Sequence, residues 1–378
     1  MTMRWPLMVE NVTHADKMAL IEFLAGQQVP RLTQGPQVEA FEHAFANWLG
    51  VRHAVMVNSG ASANLITMAA LKWHTDCARV AVPVITWSSD IMSILHAGMI
   101  PVFVDVDPYT LGMPAGRLAQ AEAVFVTHTL GFDAGEMPCP LLIEDCCEAP
   151  GATRDGIKLG TFGLASNFSF YYGHHMTTIE GGMVCTDDAD FYAKLKMLRS
   201  HGMTREAHEA QQFERDYPDL HPEFIFAHLA YNMRPTELNG VLGLAQLPRL
   251  ETNNRARTEN LRLFLSLLDP QRYRTRYPVE GSSSFALPLI LQEKDAGLMG
   301  RVLTCLRENG VEYRRGTAGG GNQLRQPYAR ERWGDLYTQF PQAEHIHGFG
   351  LYIGNYPTLN QELIVDLCER INKLLRGH

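Results

Sequence analysis

The first half of this chain contains a series of short, predominantly apolar segments. These runs are continuous rather than alternating, which predicts strands buried on both faces, as in a parallel sheet that helices cover on each side. The segments are HAVMVN, RVAVPVIT, PVFVDVD, AVFVTHT, PLLIED and GMVCTD.

The stretches around these segments have helical patterns. Pro36 suits the first turn of a helix and Gly50 suits its C-terminal end. Apolar residues recur at helical spacing between them, at Val38, Phe41, Phe45 and Trp48. A second helix is predicted to open at SGASAN and to continue to about Leu71. Strands and helices in this arrangement predict an α/β layered domain.

The pattern changes near residue 245. LPRLETNNRARTENLRLFLSLL predicts a long helix, RYRTRYPV and SSSFALPLIL predict strands, and the glycine-rich RRGTAGGGNQLRQP predicts a loop. Thr358 and Gln361 form a predicted capping pair for a final helix. Its apolar stripe consists of Leu363, Ile364, Leu367, Ile371 and Leu374. We therefore predict a large α/β domain over residues 1–248 and a smaller α+β domain over residues 249–378.

Composition narrows the class of protein. A net charge of -8 argues against a nucleic-acid partner, which normally needs a basic face. No segment is long and apolar enough to span a bilayer, and MTMRWPLMVENVTHADK lacks the apolar core of a secretory signal, so we expect a cytoplasmic protein with no membrane partner. The seven cysteines include no C-x-x-C pair, so neither a disulfide framework, a metal site nor an iron–sulfur cluster is expected.

Two positions at the ends of predicted strands suggest ligand binding. The segment from Ser59 to Ser62 places a glycine turn before a helix, where free N–H groups and the helix dipole can bind phosphate. A well-capped helix is the alternative. Asp145 ends PLLIED and would face the crevice where α/β proteins bind ligands. It could hold a proton on a ring nitrogen, or simply cap a helix.

Aromatic and histidine residues supply further candidates. Trp87 follows the strand VPVIT and could cover a planar cofactor, although such a residue is more often part of the core. His174 and His175 are adjacent, and side chains of neighbours in extended chain point in opposite directions. The pair is therefore not expected to bind one metal ion, and a single histidine is most often structural.

Taken in order, these segments resemble the sugar aminotransferase family of fold type I pyridoxal phosphate enzymes. The resemblance covers most of residues 32–250 and is carried by LTQGPQVEAFEHAFANWLG, VNSGASAN, PVITW, PVFVDVD, IEDCCEAPGA, FGLASNFSF, IEGGMV and YNMRPTELNGVLGLAQLPRL. It implies a mostly parallel central sheet flanked by helices, with a smaller C-terminal α+β domain. It also implies pyridoxal 5'-phosphate and its pyridoxamine form as cofactor.

One departure from the family pattern is informative. The family places its Schiff-base lysine five residues after the serine of the SF motif, and that position is His174, counted from Ser169. No lysine occurs between 159 and 193, and Lys158 lies outside the pattern. SFYYGHHMTTIEGG resembles the branch of the family that consists of sugar 3-dehydratases. The cysteine set of its iron–sulfur members has no match here, so the cluster-independent members that use GDP-sugars are more similar.

The resemblance implies roles for several residues. Ser59, Gly60, Ala61 and Ser169 would bind the cofactor phosphate. Asn232 would reach the phosphate of a neighbouring subunit, which would require a homodimer.

Further roles concern the cofactor ring and the reaction. Asp145 would pair with the ring nitrogen, Trp87 would stack on the ring, and Glu148 would pack beside the ring or its hydroxyl group. His174 would be the base, because imidazole can take a proton and return it near neutral pH. Glutamate would supply the amino group. GDP-4-keto-6-deoxymannose would lose its C3 hydroxyl, and ammonia would be released with a 4-keto-3,6-dideoxy sugar.

Substrate contacts are less constrained by the sequence. The arginines Arg205, Arg314, Arg315 and Arg325 could bind a diphosphate, although loop arginines are usually solvated, and His201 could lie near the sugar. Two alternatives stay open. One is an aminotransferase or dehydratase for another 4-keto nucleotide sugar, and the other is an inactive scaffold that only binds the cofactor or a partner.

Overall fold

The computed structural model describes residues 4–26, 31–114, 118, 120–206 and 210–374. In chain order the strands are β1 (His53–Val57), β2 (Arg79–Pro83), β3 (Ile100–Val104), β4 (Ala123–Thr127), β5 (Leu142–Asp145), β6 (Thr153–Arg154), β7 (Ile157–Lys158), β8 (Ala165–Ser169), β9 (Gly182–Thr186), β10 (Ala286–Ile290), β11 (Tyr313–Arg315) and β12 (Gly350–Gly354). The α-helices are α1 (His14–Leu24), α2 (Pro36–Leu49), α3 (Gly60–His74), α4 (Ser88–His96), α5 (Ala189–Arg199), α6 (Ala210–Asp216), α7 (Glu237–Gln246), α8 (Leu250–Leu267), α9 (Ala296–Glu308), α10 (Pro327–Trp333), α11 (Pro341–Phe349) and α12 (Gln361–Asn372).

The predicted central sheet has seven strands in the order β1-β9-β8-β5-β4-β2-β3. All six apolar segments form strands, and the sheet is parallel except for β9, which pairs antiparallel with β1 and β8. β9 has the same apolar pattern as its parallel neighbours because all five of its residues are buried. Whether a strand runs parallel or antiparallel to its neighbours cannot be inferred from the burial of its residues alone.

Residues at the ends of the flanking helices determine where these helices begin and end. Pro36 is the first residue of α2, and Gly50 ends it with φ +98°, a left-handed conformation that glycine adopts without strain. In α3 the Ser59 side chain caps the N-terminus by accepting from the Ser62 N–H at 3.1 Å. This helix continues to His74, three residues beyond the predicted end.

A second, antiparallel sheet has the order β10-β12-β11. SSSFALPLIL contributes β10, as predicted, but the predicted strand RYRTRYPV is wrong. Within that segment Tyr273 makes only an isolated bridge to Leu291. Charged and aromatic side chains alternate in this segment because its two tyrosines pack inward. Tyr273 is buried and its hydroxyl donates to the Ile371 carbonyl at 2.9 Å, while Tyr277 stacks on Phe132.

The C-terminal helix is capped differently from the prediction. Asn360 caps α12 by accepting from the Glu362 N–H at 2.9 Å, and Gln361 is the first helical residue. The capping pair of Thr358 and Gln361 is therefore wrong, because the chain turns into the helix two residues later than that pair requires. The apolar stripe is confirmed at its centre, where Ile364, Leu367 and Ile371 are buried.

The N-terminal segment packs on the second sheet. Trp5 is completely buried, its indole N–H donates to the Gly354 carbonyl at 2.9 Å, and its backbone bridges to Val311. The division into domains at residues 248 and 249 stays a prediction, and its ends at residues 1–3 and 375–378 lie outside the described residues. No helix of the described residues has the length and apolarity to cross a membrane.

Candidate active site

The predicted site residues gather at one edge of the large sheet. β1, β2, β4, β5 and β8 run in the same direction, so their carboxyl ends meet there. Ser59 follows β1, Trp87 follows β2, and Asp145 and Ser169 are the last residues of β5 and β8. The fold therefore brings together four residues that are far apart in the chain.

The predicted phosphate site is the N-terminus of α3. Its first N–H groups have no partner within the helix, which makes them available to an anion. Ser169 lies directly against Gly60, since a Cβ on that glycine would be 2.6 Å from the Ser169 Cβ. Ala61 is exposed in the first turn. Capping by Ser59 is therefore present, and the anion site stays a prediction.

Asp145 is buried and held from two sides. Its Oδ1 accepts the Cys147 N–H at 2.8 Å, and its Oδ2 lies 3.3 Å from the Asn64 amide nitrogen. Asp90 lies beside Asp145 and is also a buried acid, which sequence analysis missed. In the sequence Asp90 looks like an ordinary acid in the first turn of α4, so only its burial beside Asp145 distinguishes it.

His174 lines a cavity between the two sheets. The cavity is lined by Gly173, Arg257, Phe285, Arg314 and Tyr352, among others. The imidazole ring centre lies 5.3 Å from that of Phe285, and Nδ1 is buried without a hydrogen-bond partner. Burial lowers the pKa of His174 to about 4, with nearby Asp145 opposing the shift and Arg257 adding to it. The imidazole is therefore neutral at pH 7 and can accept a proton.

His175 is placed quite differently. It is completely buried and its Nε2 contacts the carbonyl oxygen of Ser283, away from the cavity. The two adjacent histidines therefore face different surroundings, as the sequence predicts.

No lysine is among the residues that line the His174 cavity. Lys158 donates to the Trp48 carbonyl at 2.7 Å and lies 3.6 Å from Glu251. These contacts hold it against residues of α2 and α8, and it does not line the His174 cavity.

Glu148 lies near the same edge with an altered ionisation. Its Oε2 accepts the Leu130 N–H at 2.7 Å, and burial raises the pKa of Glu148 to about 8. At pH 7 this side chain is mostly a neutral acid that can donate a hydrogen bond.

A second opening adjoins the His174 cavity. Trp87 is half exposed there and shares the opening with Arg314 and Tyr352, which line both spaces. Arg314 is thus the predicted arginine that faces the site. Arg325 lines neither space, because it pairs with Glu344.

The remaining predicted residues lie on an exposed surface beyond β1. Asn232 bridges to Ser200, next to His201, and the neighbouring Met233 carbonyl accepts the Asn58 N–H at 3.0 Å. His201, Arg205 and Asn232 are exposed and do not line the His174 cavity. Arg315 donates instead to the Gly348 carbonyl.

Arg257 is a second residue that sequence analysis missed. It is 5% exposed, lines the His174 cavity, and has no ion pair within the described part of the chain. Its Nη1 donates to the carbonyls of Phe285 and Asn355. In the sequence Arg257 lies in a predicted helix that is rich in polar residues, and an arginine in such a helix is normally solvated.

One buried cluster has the residue types of a metal site. His128, Glu144 and Cys146 have ligand atoms within 4.8 Å of one another. However, His128 Nδ1 accepts the Ala134 N–H at 3.2 Å, so a neutral ring carries its proton on Nε2, which faces Glu144 at 3.3 Å. A hydrogen bond accounts for this contact.

Comparison with known proteins establishes the class of protein. Residues 13–372 match the DegT/DnrJ/EryC1/StrS aminotransferase family, and the chain belongs to that family of enzymes. The predicted resemblance is confirmed.

Two relatives of this chain have the same name. The GDP-4-keto-6-deoxy-D-mannose 3-dehydratase of Yersinia pseudotuberculosis is 32% identical over 364 residues, which cover 90% of this chain and 90% of that one. The Escherichia coli enzyme of that name, with bound hydrated pyridoxal phosphate, superimposes with a TM-score of 0.87 at 28% identity, covering 99% of this chain and 100% of that one.

A further solved structure of a GDP-4-keto-6-deoxymannose 3-dehydratase contains a trapped adduct of pyridoxal phosphate and glutamate. It has a TM-score of 0.85 at 28% identity and covers 98% of this chain and 100% of that one. These likenesses confirm the predicted fold class, a mostly parallel sheet flanked by helices as in pyridoxal phosphate enzymes.

Proposed function

We propose that this enzyme removes the C3 hydroxyl of GDP-4-keto-6-deoxy-D-mannose with pyridoxamine phosphate as cofactor and glutamate as amino donor. The products would be GDP-4-keto-3,6-dideoxymannose, 2-oxoglutarate and ammonia. The observation that carries this proposal is that His174 lines the cavity. The family resemblance would put a lysine at this position.

The residues present fit a phosphorylated pyridine cofactor. The N-terminus of α3 and Ser169 would hold the phosphate, Asp145 the ring nitrogen and Trp87 one face of the ring. Glu148, neutral at pH 7, would donate to the ring hydroxyl. When bound, the cofactor would act as an electron sink for the sugar.

His174 would move the protons. Its neutral imidazole, with a buried nitrogen that has no partner, is in the form that a general base requires. Having taken a proton, it would be the acid that protonates the departing C3 hydroxyl. Because histidine forms no covalent link to the cofactor, the amino group would leave as ammonia rather than stay on the sugar.

Among the predicted substrate contacts, Arg314 is the one we favour for the diphosphate, because it lies between the two openings of the site. Arg205 and His201 could contribute only across a subunit interface. Arg325 would first have to leave its pair with Glu344. A cytoplasmic location stays a prediction.

The central test is a screen of 4-keto nucleotide sugars with glutamate and pyridoxal phosphate, read by mass spectrometry. We expect a product that lacks one oxygen atom, with ammonia and 2-oxoglutarate released in equal amounts. An amino sugar without free ammonia would indicate an aminotransferase. Cofactor binding without turnover of any sugar would indicate an inactive scaffold.

A second prediction is that the cofactor is held without a covalent bond. Borohydride treatment of the loaded protein, followed by intact mass measurement, should show no stable pyridoxyl adduct. His174→Lys is the matched positive control and should acquire one adduct. A reduced adduct on a lysine of the wild-type chain would contradict the placement of His174 at the lysine position.

A third prediction concerns assembly as a homodimer. The segment before Asn232 exposes large apolar side chains, with Leu229 at 94% exposure, which a second subunit would cover; the others are Tyr217, Leu220, Phe224 and Phe226. Sedimentation should show a dimer, and Asn232→Ala should weaken cofactor binding. Asn253→Ala, on the half-exposed face of α8, is the control and should not. A fully active monomer would remove this role from Asn232.

A further inference from the structure

Asp90 and Asp145 form a buried pair of acids at the carboxyl edge of the large sheet. A single amide nitrogen faces both, since Asn64 Nδ2 lies 2.6 Å from Asp90 Oδ1 and 3.3 Å from Asp145 Oδ2. The exposed fraction of Asp90 is 0% and that of Asp145 is 3%. Burial and a neighbouring like charge both disfavour a second ionised carboxyl group, so we expect one of the two acids to keep a proton.

The threonine contacts of Asp90 identify which acid keeps it. Thr86 Oγ1 and Thr127 Oγ1 both contact Asp90 Oδ2, the second at 2.8 Å, and lie 2.7 Å from each other. Three oxygen atoms in mutual contact are best satisfied when each contact has a proton of its own. The two hydroxyl groups supply two protons, and a protonated Asp90 supplies the third.

The neighbours of Asn64 favour the orientation in which its amide nitrogen faces the two acids. Its Oδ1 accepts from the Asn167 amide at 3.0 Å, and the Asn167 Oδ1 accepts from the Thr67 hydroxyl at 2.7 Å. The amide therefore presents N–H groups to both acids. Asp145 accepts N–H groups from both Cys147 and Asn64, whereas Asp90 also contacts two hydroxyl groups that contact each other.

We propose that Asp90 is a neutral carboxylic acid and that it confines the charge of the pair to Asp145, at the point where the cofactor's ring nitrogen would bind. The second half of this proposal rests on the proposed function. Asp90 would touch neither cofactor nor substrate and is a positioning residue.

The titratable surroundings of Asp90 agree with this assignment. Burial, followed by the negative charge of Asp145, raises the pKa of Asp90 well above its usual value. The other titratable groups close to it are Cys147, after β5, and Tyr328, on α10. Both are acids, so neither would favour a second negative charge.

Infrared spectroscopy of the cofactor-free protein tests the proton directly. Carbonyl labelling of aspartate with 13C separates Asp90 from the neutral acid Glu148. The wild-type protein should show the C=O stretch of a protonated, labelled acid at pH 7, and Asp90→Asn should lose it. Asp366→Asn, a surface control, should keep it. Absence of the band from the wild-type protein, or its survival in Asp90→Asn, would overturn the proposal.

The pH dependence of stability is a second readout. A raised pKa in the folded state means that folded Asp90 keeps a proton which the unfolded chain releases. The folding equilibrium constant of the wild type should therefore fall about tenfold per pH unit relative to Asp90→Asn, from above pH 4 through neutrality. A ratio that does not change with pH would show that folded Asp90 is ionised. If Asp90→Asn does not fold, the infrared band of the wild type still decides.

Titration with pyridoxal phosphate tests the positioning role. Asp90→Asn should bind the cofactor within about threefold of the wild type, whereas Asp145→Asn should bind about 10- to 100-fold more weakly, because it removes a charged hydrogen-bond partner. Equal weakening in both variants would mean that Asp90 carries charge, which contradicts the proposal. If the wild type binds no cofactor, the proposed function fails, but the infrared result on Asp90 stands.

Discussion

His174→Asn should slow dehydration of the 4-keto sugar by about 100- to 10,000-fold, roughly 3–5 kcal/mol of barrier. The asparagine amide is smaller than the imidazole but keeps a polar group close to the ring's Nδ1 position, and it cannot act as a base. The phosphate site and Asp145 are untouched, so binding of pyridoxamine phosphate should change little. The rate should be measured at saturating cofactor, so that lost binding is not mistaken for lost chemistry.

His175→Asn is the matched control. His175 is bound to the Ser283 carbonyl outside the cavity, so its loss should affect stability more than the rate of proton transfer. If His174→Asn dehydrates the sugar at the wild-type rate and His175→Asn is slow, the base is His175 and not His174. His174→Lys should shift the cofactor absorption band by forming a covalent link and should also lose dehydration.

Trp5→Ala should lower the free energy of unfolding by about 3–5 kcal/mol, the usual effect of removing a large buried aromatic side chain. Trp5 is completely buried against the second sheet, and its indole N–H satisfies the Gly354 carbonyl. Truncation would therefore leave both a cavity and an unpaired acceptor. Urea denaturation followed by circular dichroism measures the change.

Trp87→Ala is the control for this measurement. Trp87 is half exposed, so its removal should change stability by less than about 1 kcal/mol while weakening cofactor binding. A small effect of Trp5→Ala would contradict the docking of the N-terminal segment on the second sheet. A large effect of Trp87→Ala on stability would place that residue in the core instead.

Much of the candidate site could be predicted because each of its parts depends on a short stretch of sequence. Ser59 and Gly60 mark a strand-to-helix turn, and Asp145 and Ser169 end their strands, so each position follows from a few neighbouring residues. The histidine at the lysine position was visible by counting from Ser169. What these residues bind is proposed from their arrangement together with the family resemblance.

The two wrong predictions concern sequence patterns that more than one local structure can produce. RYRTRYPV alternates because two tyrosines pack inward, which looks like a strand in sequence but forms no ladder. The cap of α12 falls on Asn360 because a side chain that can cap occurs at several neighbouring positions, and the backbone path selects one.

The sequence by itself determined six of the seven strands of the large sheet and the ends of α2, because hydrophobic periodicity and turn residues act over short stretches of chain. With the family resemblance it also predicted histidine in place of the lysine. Only the tertiary structure decided the direction of β9, the burial of Arg257 beside His174 and the pairing of Asp90 with Asp145. Each of these depends on which distant segment packs alongside. The protonation of a buried acid, above all, is set by neighbours that the fold brings together from four separate segments of the chain.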